Sequence, residues 1–155
     1  MDFTSASGTR CAALILALAL SVTMPQTAQA AEDYPIAIKV DGLRSTKGFV
    51  LVCLTMNAKA FPDCAKDANA VRLKVAASQA GNMKVSVAQA GQYAISVLHD
   101  ENGNLKADFM LGMPREGFGF SRNAKVRFGP PKFSAASFPV GAGGTSQSLT
   151  MKYLF

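Results

Sequence analysis

Val71-Arg72-Leu73-Lys74-Val75, followed after a Gly81-Asn82 turn signal by Met83-Lys84-Val85-Ser86-Val87, is the stretch whose reading decides the fold class. Apolar side chains fall at every second position with polar or small ones between. Because successive strand residues point to opposite faces, this period of two predicts strands with one face buried and one in water. The same alternation runs outward in both directions. Upstream, Ile36, Ile38 and Val40 alternate with Ala37 and Lys39; downstream lie Tyr93, Ile95 and Val97, then Val126 with Phe128, and finally Leu149, Met151, Tyr153 and Phe155. Phe49 to Leu54 is apolar in both phases, which predicts a central strand, with Leu51 and Ile95 as core positions.

Turn chemistry separates these runs at Asp41-Gly42, Ser45 to Gly48, Ala90-Gly91, Asn102-Gly103, Gly129-Pro130-Pro131 and Gly141 to Gly144. No segment sustains a helical period. The stretch Asn57 to Asn69 comes nearest, and Pro62 with Cys64 marks it as a loop. Seven or eight short strands with regular turns predict an all-β fold, a single antiparallel β-sandwich, immunoglobulin-like or transthyretin-like in plan, with one long capping loop.

The chain has 155 residues, and at 49% hydrophobic and 17% charged it has a globular rather than a disordered composition. Its first thirty residues read as an export signal. Arg10 precedes the uncharged run Cys11 to Val22, which is too short to cross a membrane core that needs about 20 residues. Pro25 then breaks the pattern, and Ala28-Gln29-Ala30 places a cleavage before Ala31. The expected organisation is therefore a signal peptide at 1–30 and one β-sandwich domain at 31–155, periplasmic or secreted, with no transmembrane anchor in the mature chain. Cys53 and Cys64 remain after cleavage, and an oxidising compartment leaves them either bridged or as two unpaired buried sulfurs. The net charge of +6 favours anionic surfaces such as lipid headgroups or acidic polymers. Phe118, Phe120, Phe128 and Phe133 near Arg115, Arg122, Lys125, Arg127 and Lys132 could stack bases, but an exported chain has no nucleic acid to meet.

Asp100 to Asn123 stands apart as a loop too long for a turn, and loops of that length in compact domains are usually functional or disordered. Phe109, Met110, Leu111, Met113, Phe118 and Phe120 give it an apolar side, which predicts a folded cap. Asp100, Asn102, Asn104 and Asp108 occupy positions one, three, five and nine of a loop whose oxygens could surround one calcium ion. Leu105 and Leu111 stand where a calcium loop of the EF-hand type has glycine and glutamate, with Glu116 the substitute farther along. The alternative is that these side chains bond the loop's own backbone.

The string His99-Asp100-Glu101-Asn102-Gly103-Asn104, then Asp108, then Gly112-Met113-Pro114-Arg115-Glu116-Gly117-Phe118-Gly119-Phe120-Ser121, resembles the secreted bacterial family catalogued as domain of unknown function 2141. Gly42-Leu43-Arg44-Ser45 with Gly48, Gly91-Gln92-Tyr93-Ala94 and Gly129-Pro130-Pro131 extend the resemblance over roughly Ile36 to Tyr153. It implies an exported β-sandwich and no particular activity.

His99 is the sole histidine. A general base needs a tuned pKa and a partner in reach, for which Asp100 and Glu116 are the candidates; otherwise the ring bonds the loop backbone. Three function classes follow. The first is a noncatalytic envelope module that binds a ligand, polymer or partner through the loop 100–123, with His99, Asp100, Arg115, Glu116, Phe118 and Phe120 as the candidate contacts. The second is a calcium-stabilised structural protein, and the third a small hydrolase using His99. Ligand identity and oligomeric state are not written in the sequence.

Overall fold

Ten strands carry the alternation into three dimensions in the computed structural model, which describes residues 33–155; the expected export segment 1–30 lies outside the described residues. In chain order they are β1 (Tyr34–Asp41), β2 (Phe49–Thr55), β3 (Val71–Ala76), β4 (Met83–Val87), β5 (Gly91–Asp100), β6 (Phe109–Met110), β7 (Met113–Pro114), β8 (Gly117–Phe120), β9 (Phe138–Val140) and β10 (Thr145–Thr150), with one short helix, α1 (Phe133–Ala136). The fold is all-β, as the period of two requires.

The strands form two main sheets. One has the order β10-β1-β4; the larger runs β3-β2-β5-β8, with β9 pairing the start of β5, while β6 and β7 make a separate hairpin. Ile36, Ile38 and Val40 from β1, Val50, Val52 and Leu54 from β2, and Tyr93, Ile95 and Val97 from β5 belong to one buried cluster to which both sheets contribute. Each such side chain contributes about 1.5–3 kcal/mol when fully withdrawn from water. The doubly apolar β2 lies between β3 and β5, a central strand as its composition demands.

Several expectations are corrected, among them the terminal strand, which spans Thr145–Thr150 and ends before Met151, Tyr153 and Phe155. The pairing is not wholly antiparallel: β10 runs parallel to β1, with Ile36 opposite Thr145 and Asp41 opposite Thr150. The chain leaves β9 in the larger sheet and turns at 141–144 into the smaller one, so β10 enters beside β1 rather than folding back on its predecessor. Val126 with Phe128 makes no strand, and Phe128 is fully exposed. Arg122 and Asn123 take left-handed backbone conformations just before it, which breaks extended structure. Leu51 is not in the shared core, since its neighbours Val50 and Val52 take the inward phase and turn it to the other face. Finally, 100–123 is not a single cap. Its second half is β8, a strand of the larger sheet, and the apolar residues of its first half stand in water.

One glycine fixes the approach of β2 to the end of β5. Gly48 has φ +68°, and a Cβ there would run into the backbone of Asp100 and Glu101. Among the described residues no helix is long and apolar enough to cross a membrane.

Candidate functional site

The outward phase of the larger sheet builds a cleft. Register places Lys74, Leu51, Leu98 and Phe118 in one row across β3, β2, β5 and β8, and Arg72, Cys53, Ser96 and Phe120 in the next. Pro62 and Asp63 form one wall, Leu105, Ala107 and Phe109 the other, and the half-open space between them is about 680 Å³. That size lies within the range of small-molecule sites, and the floor is mostly apolar with few polar groups, as such sites are. Phe118 and Phe120, both sequence candidates, belong to this floor. Sequence reasoning missed Leu51, Leu98, Arg72 and Lys74. The signal was present in β2, whose second apolar phase needs cover of its own.

The wall at 57–70 is held by the cysteine pair and by polar ties. Cys53 and Cys64 lie at disulfide distance with a Cα separation of 5.8 Å, the geometry of the bridged one of the two arrangements left open by the sequence. Ser96 Oγ donates to the Pro62 carbonyl, and Arg72 donates to the carbonyls of Cys64 and Asp67. Thr55 Oγ1 donates to Asp67 at 2.5 Å, and that bond foremost holds the Asp67 carboxyl below the usual carboxylate range. Phe61 packs edge-on against Phe120 and Phe133, at 5.8 and 6.0 Å between ring centres.

The opposite wall grows from the acidic loop. Asp100 is fully buried, and its carboxylate accepts the backbone N–H groups of Gly103, Asn104 and Leu105 at 2.8, 3.1 and 2.8 Å. Asp108 accepts the side-chain amides of Asn102 and Asn104, whose own oxygens accept the N–H groups of Asn104 and Lys106. These oxygens serve the loop itself. Glu116 is buried beside them; its Oε2 accepts the Asp108 N–H at 3.3 Å, while Oε1 has no partner. Burial foremost, then the negative charges of Asp100, Asp108 and Glu101, push its carboxyl above the usual range. Among the described residues no group of three or more His, Cys, Asp or Glu side chains converges as a metal site would. As arranged, most of the oxygens of Asp100, Asn102 and Asn104 accept N–H groups of the loop's own backbone.

His99 is fully buried and lies away from the cleft. Its Nε2 lies 2.9 Å from the Lys47 carbonyl and its Nδ1 2.7 Å from the Tyr153 hydroxyl. A carbonyl only accepts, so Nε2 donates to it, while Nδ1 pairs with the Tyr153 hydroxyl. Both nitrogens are thereby occupied. Tyr153 Oη also accepts the Arg44 N–H at 3.2 Å, and the Arg44 guanidinium sits over the tyrosine ring, 4.5 Å from its centre. Arg44 reaches on to Glu101, donating from Nε at 2.9 Å, which holds that carboxyl below its ordinary range. Asp100, the residue after His99, points to the other face and shares none of these bonds. Arg115 is exposed, and its backbone N–H donates to the Asp108 carbonyl at 2.9 Å. Thus the structure gathers Phe118 and Phe120 into the cleft, Asp100 and Glu116 into the loop network, and the buried His99 into a separate pair with the half-buried Tyr153.

Comparison with known proteins gives one match. The family model described as an uncharacterized protein conserved in bacteria, DUF2141, covers residues 38–148, and the chain belongs to that family. No curated protein and no solved structure matches it.

Proposed function

We propose that this member of the family is an exported, noncatalytic envelope module, a single domain over residues 31–155, that binds an amphipathic anion in the cleft on the outer face of its larger sheet. The observation that carries this reading is the floor itself: Leu51, Leu98, Phe118 and Phe120 are side by side in register, with Lys74 and Arg72 closing the β3 edge of the same two rows. An apolar floor asks for a hydrocarbon or aromatic body, and two cations at one edge, with Asp63 the single carboxylate among the lining residues, ask for a negative group on it. The noncatalytic part is supported by His99, whose nitrogens are both engaged in structural bonds at zero exposure and so offer no free base. The export part is supported by the run Cys11 to Val22 followed by Ala28-Gln29-Ala30.

Titration with anilinonaphthalene sulfonate, read by fluorescence and by displacement with a long-chain carboxylate, tests the cleft. Saturable binding is expected, lost in Leu98→Glu, and weakened in Lys74→Glu more for the sulfonate than for an uncharged apolar dye. Binding that survives Leu98→Glu unchanged would place the ligand elsewhere. Mass spectrometry of the processed chain is expected to begin at Ala31; a chain still carrying residues 1–30 would contradict export by this signal.

A further inference from the structure

The hairpin of β6 and β7 breaks two rules at once. Met110 pairs with Met113, leaving Leu111 and Gly112 as a two-residue turn with φ +51° and +79°. A turn with both central residues in the left-handed region favours asparagine, aspartate or glycine at its first position, and a leucine there is strained. That leucine is also 89% exposed. Strained backbone and an apolar side chain held in water are each disfavoured in a chain selected only for folding, and such conflicts mark functional places.

The apolar character extends around the whole tip. Phe109 pairs with Pro114 and Met110 with Met113, and because neighbouring strand residues face opposite ways, one pair lies on each face with Leu111 at the apex. Phe109, Met110 and Met113 are 62%, 40% and 42% exposed. A protein groove would cover one face of such a hairpin. An apolar medium would cover both faces and the apex together. Lys106 ahead of the hairpin and Arg115 behind it are both exposed, so the wedge carries cations at its base, and the chain as a whole has net charge +6. The carboxylate nearest in sequence, Asp108, is occupied by the amides of Asn102 and Asn104.

From this geometry we infer that the β6–β7 hairpin docks the protein on an anionic lipid surface, with Phe109, Met110, Leu111 and Met113 entering the interface and Lys106 and Arg115 at the headgroups. Phe109 also lines the cleft, whereas Met110, Leu111 and Met113 do not, so the test is placed on Leu111.

Co-sedimentation with vesicles of phosphatidylglycerol and phosphatidylcholine, against phosphatidylcholine alone, tests it. Binding to the anionic vesicles is expected and should fall as salt rises. Leu111→Asn is the discriminating variant, because asparagine suits the left-handed turn while deleting the apex. It should lower partitioning by about tenfold or more with the melting midpoint unchanged or raised. The sequence has no tryptophan, so Leu111→Trp supplies a single emitter at the tip, whose emission should shift to the blue on adding vesicles. Absence of binding to the anionic vesicles, equal binding to neutral ones, binding retained in Leu111→Asn, or a hairpin that instead holds a second copy or another protein and leaves vesicles untouched would each overturn the assignment.

Discussion

Replacing Tyr153 by Phe removes one oxygen and leaves the ring, so it isolates the bond that satisfies His99. The ring has no room to move: a Cβ at Gly117 would collide with it, and the Arg44 guanidinium lies 4.5 Å from its centre, a contact phenylalanine retains. Two hydrogen bonds are lost, to His99 Nδ1 at 2.7 Å and from the Arg44 N–H at 3.2 Å. The Arg44 amide is at an exposed residue and can turn to water, at little cost. His99 is wholly buried, and an orphaned buried polar atom costs about 1–3 kcal/mol. For a domain of this size that corresponds to a fall in Tm of roughly 4 °C per kcal/mol. Urea unfolding of wild type, Tyr153→Phe, His99→Leu and the double variant forms a cycle in which the second substitution should cost less once the first is made, with a coupling of about 1 kcal/mol. An unchanged urea midpoint in Tyr153→Phe, or strictly additive losses, would show that His99 is not held by Tyr153. It would then reopen the ring as a chemical group.

Three further outcomes are expected. Glu116 has its folded carboxyl raised above the ordinary value of 4.5, so the folded chain holds that proton more tightly than the unfolded one; stability should fall as pH rises from near that value through the raised one, and Glu116→Gln should flatten this slope in urea midpoints. The Asp100 carboxylate caps three backbone N–H groups, so Asp100→Ala should destabilise by about 1 kcal/mol per bond lost, while wild-type melting should be the same in calcium and in chelator; a rise of several degrees on adding calcium would show a bound ion instead. Reducing Cys53–Cys64, which closes a loop of sequence separation 11, should lower stability by about 3 kcal/mol and loosen the Pro62 wall of the cleft, read by melting and by dye affinity; an unchanged midpoint would show that the bridge does not tether the wall.

Local patterning settled much of this protein before any contact was known. A period of two at Ile36 to Val40, Val71 to Val75 and Met83 to Val87 is a property of each strand's own faces, and glycine, asparagine and proline at the turns act within a few residues. The strand character of those three segments, the all-β class and the central position of β2 therefore follow from sequence alone. The oxygens spaced through Asp100 to Asp108 likewise announced a tightly wound loop, because Asx side chains reach backbone only two to five residues on.

What the chain order hides is which distant segment supplies the partner. Periodicity says that Val50 and Leu51 face opposite ways, not that the disulfide loop and the acidic loop rise on either side of the outer face to make a cleft. Val126 and Phe128 alternate like a strand yet form none, since a strand exists only where another presents its unpaired N–H and C=O groups. The parallel approach of β10 to β1 joins residues more than a hundred positions apart, and His99 meets Tyr153 across 54. Such pairings depend on the path of the whole backbone, whose closure is decided by burying one shared core. No short window of sequence contains that decision.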